Sequence, residues 1–363
     1  MRQPPADVVA SWPAPNYVDP VTRGPALVIV ELLALSISTI CLILRLFVRV
    51  RIVRSVDWDD WLMIAAAIFG AGVTTCVVLA SSEYGWDLHI WDLTPAKLVA
   101  SRQVSFAAQA LFVLATALAK ISIFFSYLRL APVGTWFRRL SHVGIWSSVI
   151  TNFGFFVALF CQCRPLTSYW DLRRSKTDCY NEGPVLLAHA FIMAALDFFV
   201  WVLPLPTLSR TSLPLMQRIA LLALFSFGLV VVFAACIRTY WIHYVVQETY
   251  DVTWYGFHLW LWMAVEVQLG LICGCVPWLK PLFKPWWARH TGTGSGVGAS
   301  GSGPAHRSKS EGNRTAVSKR SNVVRMDSLV EAERGEEDVD LERGSVGSDS
   351  QVELRSDKAG NWP

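Results

Sequence analysis

The chain has 363 residues, 53% of them hydrophobic and only 17% charged, with a formal net charge of +4. Soluble globular proteins carry about 25% charged residues, and here a large share of the charge falls after residue 290, so a soluble fold is excluded for the part before it. That part has no basic stripe, which removes nucleic acid from the partners.

Residues 1–25 are polar and proline-rich, without the short apolar stretch of a signal peptide. They read as an extracellular N-terminal segment, and the first apolar run is expected to insert uncleaved. A bilayer core needs about 20 apolar residues in a helix. Seven runs meet that length: Ala26–Phe47, Trp61–Ser81, Val104–Leu128, Val143–Cys161, Val185–Leu205, Ile219–Tyr240 and Phe257–Leu279. Backbone groups in hydrocarbon must be satisfied within the segment, so these are predicted helices. The fold class is therefore an all-α membrane protein, a seven-transmembrane-helix bundle over residues 26–289. The tryptophans Trp58, Trp61, Trp86, Trp91, Trp254, Trp278 and Trp286 sit at or beyond the ends of these runs. That is the placement of an interfacial belt, with the lipid bilayer as the first partner.

Lys and Arg collect on the cytoplasmic side of a membrane protein. The segments after runs 1, 3, 5 and 7 carry Arg45, Arg49, Arg51, Arg54, Arg129, Arg138, Arg139, Arg210, Arg218, Lys280, Lys284 and Arg289. The opposite segments carry fewer, among them Arg23, Lys97, Arg102 and Arg164. The bias predicts an outside N-terminus and a cytoplasmic C-terminus. Cys163 and Cys179 then lie in an outer loop, where a disulfide is chemically allowed. Cys161 competes for the same partner, and two free thiols are the alternative.

Residues 290–363 open with a Gly/Ser linker, continue through a basic and then an acidic stretch, and have too few apolar residues to fold alone. They read as a disordered cytoplasmic tail. Its basic part can rest on an anionic leaflet, and Ser310, Ser321 and Ser328 beside it are candidate phosphorylation sites. Asn313-Arg314-Thr315 is a glycosylation sequon that goes unused if the tail is inside.

Ionisable groups at bilayer depth are costly and mark function by default. The runs contain Glu31, Lys120, Asp197, Arg238 and Glu266. Ser105, Gln109, Thr116 and Lys120 share one face of run 3, which is expected to point into the bundle. Lys120 is expected to pair with Asp197 or Glu266, a choice the sequence leaves open. Two prolines, Pro204 and Pro206, end or bend run 5. His89, His189, His243 and His258 fall near outer helix ends, where with Glu83, Asp92 and Asp251 they suggest a pH- or metal-sensitive surface; their spacing fits no metal motif.

The motifs in order carry a resemblance. Arg45 and Arg49 followed by Asp59-Asp60-Trp61-Leu62, Tyr84-Gly85, and His89-Ile90-Trp91-Asp92-Leu93 form its first part. Lys120-Ile121-Ser122, Tyr127-Leu128-Arg129-Leu130, Cys163-Arg164-Pro165, Trp170 and Cys179 continue it. Asp197, Leu203-Pro204-Leu205-Pro206, Gly228, Arg238, Glu266, Cys275-Val276-Pro277 and Pro281-Leu282-Phe283 complete it. From Val28 to Pro285 the chain resembles the fungal integral membrane proteins with the so-called rhodopsin domain, a set that includes receptor-like proteins of filamentous ascomycetes. It departs from the pattern at Asp87, where a glycine is usual, and at Leu88, where a basic residue is usual.

The resemblance implies a receptor-like sensor of an extracellular or surface cue in the plasma membrane. Its outer loop (His89, Trp91, Asp92) would bind the cue, and its intramembrane polar core (Lys120, Asp197, Glu266, with Arg238 and Gln109) would switch. Its inner motif (Asp59, Asp60, Arg129) would face a cytoplasmic signalling partner. No catalytic residue, metal or other cofactor is implied. A retinal photoreceptor needs a lysine in the middle of helix 7, and Phe257–Leu279 has none. The competing reading is a secondary transporter or proton-linked carrier that uses the same intramembrane charges.

Overall fold

The computed structural model describes residues 4–130, 134–171, 179–206 and 215–279, with the backbone alone for 130 and 215–225. Among the described residues, seven helices are long and apolar enough to cross a membrane. They are α1 (Ala26–Phe47), α2 (Trp58–Ser82), α3 (Pro95–Leu130), α4 (Trp136–Phe160), α5 (Glu182–Val202), α6 (Leu215–His243) and α7 (Val252–Cys275). The disordered tail expected over 290–363, its sequon and its serines lie outside the described residues.

The helices follow the apolar runs, with one clear difference. α3 starts at Pro95, well before the run that begins at Val104. Its first turns carry Lys97, Arg102 and Gln103, so an amphipathic extension was hidden from a purely apolar count. Arg102 is buried in this extension and donates to the Tyr169 carbonyl at 3.1 Å; it is a helix residue, not a loop charge. α5 ends at Val202, before Pro204, so the prolines follow the span rather than break it.

Each helix packs on its chain neighbours, α7 closes the ring against α1, and α3 meets α7 across the middle. Met63, Ala66, Val73, Ala115, Ala119, Met263 and Val267 belong to the buried cluster between α2, α3 and α7. Small residues there let helices approach closely, the main route to packing where lipid offers no hydrophobic drive. The outward face is apolar. On α1 the buried residues are Leu27, Glu31, Ser38 and Arg45, whereas Ile29, Leu33, Ile37, Ile40 and Ile43 are exposed. A helix that hides polar groups and exposes isoleucine is built for lipid.

One end of the bundle carries the N-terminal segment, the α2–α3, α4–α5 and α6–α7 connections, and a disulfide between Cys163 and Cys179. Cys161 is an exposed free thiol. We call this the disulfide end. The other end carries the α1–α2 connection and the start of α4.

Candidate functional site

Just below the disulfide end lies a cavity of about 160 Å³, walled by α3, α4, α5, α6 and α7 and the segments that join them. It runs from Asn181 and Glu182 at the start of α5 down to Arg238. The inward stripe of α3 supplies Ser105, Gln109 and Phe112 to its wall. α7 supplies Gly256, Trp260 and Met263, and the α2–α3 connection supplies Trp86. Gly85 precedes that tryptophan with φ of 73°, a left-handed turn that a side chain would strain. Gly256 is needed for a different reason: a Cβ there would overlap the Trp86 ring.

Buried polar atoms normally find partners. Three wall residues break that rule. The indole N–H groups of Trp86 and Trp260 and the Nε2 of His189 are buried without a hydrogen-bond partner among the described residues. The two indoles meet edge to face at 5.3 Å. His189 stacks on Phe155 at 3.7 Å. It is an inner residue of α5, not part of an outer surface. At the same level, in the α4–α5 connection, desolvation and the nearby Glu182 raise the Tyr169 pKa, so its phenol is neutral.

Four of the five ionisable groups at bilayer depth are matched across helices. Arg238 grips Glu266 through two contacts, Nε to Oε2 at 2.6 Å and Nη2 to Oε1 at 3.3 Å, and its guanidinium lies 4.9 Å from the Phe112 ring. Nearer the opposite end, Lys120 sits 3.2 Å from Asp197 and 4.0 Å from the Met193 sulfur. Lys120 therefore pairs with Asp197 and leaves Glu266 to Arg238. Among the described residues, Glu31 has no such cation. Thr74 donates to it at 2.8 Å, Gln268 donates to Thr74 at 3.3 Å, and Ser38 donates to Gln268 at 2.5 Å.

The end opposite the disulfide is closed by a lattice of four charges. Arg45 reaches Asp59 at 2.7 Å and Asp60 at 3.0 Å; Arg49 reaches Asp59 at 2.9 Å and Asp60 at 2.7 Å. Arg45 also donates to the Gly274 carbonyl at 2.7 Å, Ser122 donates to the Asp59 carbonyl at 2.6 Å, and Trp278 lies 4.2 Å over Arg49. The lattice thus ties α1 and α2 to α3 and α7. Arg129 of α3 adds an ion pair with Asp57, at its edge. Arg45 and Arg49 are 0% exposed, so they are structural charges rather than loop charges. Two arginines four residues apart, followed by two adjacent aspartates, were the signal that could have suggested this pairing.

The disulfide end carries a stack of rings instead. His89 lies between Trp91, at 4.5 Å, and Trp254, at 3.9 Å, and bonds Asp251 at 2.5 Å. Arg23 covers the far face of Trp254 at 4.2 Å and meets His258 at 3.0 Å; partial burial lowers its pKa. Trp12 packs on Trp91 at 5.5 Å, and the Asn16 amide donates to Asp92 at 2.8 Å. The N-terminal segment is in this way strapped over the loop that carries His89, Trp91 and Asp92. Of the belt tryptophans, Trp58 and Trp61 are exposed, whereas Trp86 walls the cavity and Trp91, Trp254 and Trp278 stack on other groups. Among the described residues, no three His, Cys, Asp or Glu side chains gather as metal ligands.

Seven membrane-length helices around a lined cavity, with two buried ion pairs between helices, define a multi-pass membrane protein. Residues 44–285 match the fungal rhodopsin domain, and the chain belongs to that family. It is 24% identical over 285 residues to "Fugralins biosynthesis cluster protein 2" of Gibberella zeae, an alignment covering 74% of this chain and 68% of the relative. It is 24% identical to a "SAT4 family membrane protein" of Emericella nidulans, over 57% of this chain and 53% of the relative. It is also 24% identical to "Wortmanamides biosynthesis cluster protein C" of Talaromyces wortmannii, over 67% of each. No solved structure matches the chain.

Proposed function

We propose that the chain is a receptor-like sensor of an extracellular or surface cue, set in the plasma membrane with the disulfide end outside and the C-terminus in the cytoplasm. The observation that carries this reading is the cavity, a small chamber walled in part by Trp86, Trp260 and His189, whose ring nitrogens Nε1, Nε1 and Nε2 have no hydrogen-bond partner among the described residues. A molecule held there touches α3, α5, α6 and α7 together, so it favours whichever packing of those helices fits it best. Arg238 links the cavity wall to Glu266 of α7, and α7 contributes the Gly274 carbonyl to the charge lattice at the other end. That is a physical route from an outer site to an inner surface, where a cytoplasmic signalling partner would bind. The Cys163–Cys179 disulfide supports the orientation, because such bonds persist in oxidising compartments. Relatives named for biosynthesis clusters suit a small chemical cue. The reading assigns no catalysis to the chain.

A proton-linked carrier is the second reading, favoured by the two buried ion pairs Arg238–Glu266 and Lys120–Asp197. Purified protein in liposomes with a pH-sensitive dye separates the two. The sensor reading expects wild type and Asp197→Asn to show the same low proton leak, while the variant alters the response in cells. Wild-type flux that Asp197→Asn abolishes would overturn the sensor in favour of the carrier.

A further inference from the structure

We infer that the joint between α1 and α2 binds the headgroup of an anionic phospholipid, with Arg51 and Arg54 as the residues that meet it. This contact is independent of the sensing proposal and of which leaflet the end faces. Charge comes first. At this end Arg45 and Arg49 are matched by Asp59 and Asp60, and Arg129 is matched by Asp57. Arg51 and Arg54 are exposed and form no ion pair among the described residues. The stretches that follow α3, α5 and α7 in the sequence, 131–133, 207–214 and 280–290, contain neither Asp nor Glu.

The neighbours of the two arginines fix their depth. Val50, Ile52, Val53 and Val56 are exposed beside them, and Trp58 and Trp61 follow, 78% and 62% exposed. Exposed aliphatic side chains need hydrocarbon, exposed indoles suit the interface, and a guanidinium on its long stem reaches toward the headgroups. A short segment that needs all three belongs where acyl chains meet phosphate. The backbone adds a second observation. Arg54 has φ of 56°, in the left-handed region, where glycine is the usual residue after a helix. An arginine there carries strain that a glycine would not. The turn is held all the same: the Ser55 amide donates to the Arg49 carbonyl at 3.2 Å, and Arg129 donates to Ser55 at 3.0 Å. A planar guanidinium binds phosphate through paired hydrogen bonds. A lipid of net negative charge offers that phosphate without the ammonium that offsets it in phosphatidylcholine. The chain's own acidic stretch, 327–342, brings carboxylates but no acyl chain to cover Val50, Ile52 and Val53.

The test titrates the full chain in detergent with phosphatidylglycerol and with phosphatidylcholine of the same acyl chains, and counts bound lipid by native mass spectrometry. Wild type is expected to prefer phosphatidylglycerol. Each arginine near an anionic surface is worth about 5-fold. Arg51→Gln with Arg54→Gln should therefore weaken phosphatidylglycerol about 20-fold and leave phosphatidylcholine unchanged, which also shows that the variant is folded. Inorganic phosphate in equal amount should not displace the lipid; displacement would mark a free-anion site and overturn the lipid as its occupant. Arg54→Gly reads the same contact through stability. In phosphatidylcholine nanodiscs it should unfold no lower than wild type, because the strain is relieved. In phosphatidylglycerol nanodiscs it should unfold below wild type, because a headgroup contact is lost. A wild type without lipid preference, a double variant that keeps the preference, or one ranking of Arg54→Gly in both lipids would overturn the proposal.

Discussion

At the scale of single residues, the buried ion pairs set the terms. Arg238 is 2% exposed and Glu266 2% exposed, and the two share a fork of contacts. An arginine keeps its charge when its partner is lost, so Glu266→Gln strands a guanidinium in the bundle. The expected cost is about 3–5 kcal/mol, the usual penalty for breaking a buried pair from one side. Replacing both residues, Arg238→Met with Glu266→Leu, should restore most of that stability, because neither charge then needs a partner. Thermal unfolding of the purified variants checks both expectations; equal loss in the single and double variants would mean that packing, not charge, is what Glu266 provides. The sequence marked these residues, because charges in apolar runs stand out. It left open which acid Lys120 meets, because that depends on how α3, α5 and α7 rotate against one another. Trp86, Trp260 and His189 gave even less warning. A tryptophan near a helix end reads as interfacial whether it sits among headgroups or in the wall of a cavity.

At the scale of elements, the joint between α1 and α2 is the most heavily determined part of the bundle. After Phe47 the first helix widens into a π-helical stretch, Val48–Val53, which carries Arg49. The chain then turns, and a reciprocal capping box between Asp57 and Asp60 starts α2. Asp60 therefore serves its own helix start and both arginines at once. Length and apolarity were enough to place both helices in the sequence, but nothing in a run of isoleucines shows that its last turn is buried. Arg49 offers the sharper test. Its Nε and Nη2 reach two different carboxylates, and its plane lies over Trp278. A lysine keeps the charge yet has neither the fork nor the flat face. Arg49→Lys is expected to cost about 2 kcal/mol, one charged hydrogen bond, seen as a lower unfolding temperature in nanodiscs. A variant as stable as wild type would show that point charge alone holds the joint.

At the scale of the whole molecule, the two ends differ in kind. One end is locked by matched charges, with two arginines and two aspartates cancelling locally. The other is built from stacked rings, a disulfide and a strapped N-terminal segment. Because Arg45 and Arg49 are buried within the bundle, the basic excess behind the proposed orientation rests on Arg51, Arg54, Arg129, Arg138 and Arg139, together with residues beyond 206. That excess is counted near the ends of the spans, and it agrees with the oxidising environment a disulfide requires. Two independent kinds of chemistry thus point to one orientation. An epitope tag on the C-terminus should be reached by antibody only after cells are permeabilised, and an N-terminal tag without it. On the proposed orientation Asn313, in a sequon that follows the seventh helix in the sequence, should carry no glycan. A glycan at Asn313, removed by Asn313→Gln, would place the ring-stacked end and its cavity toward the cytoplasm. The cue would then have to be internal, even with every contact within the bundle unchanged.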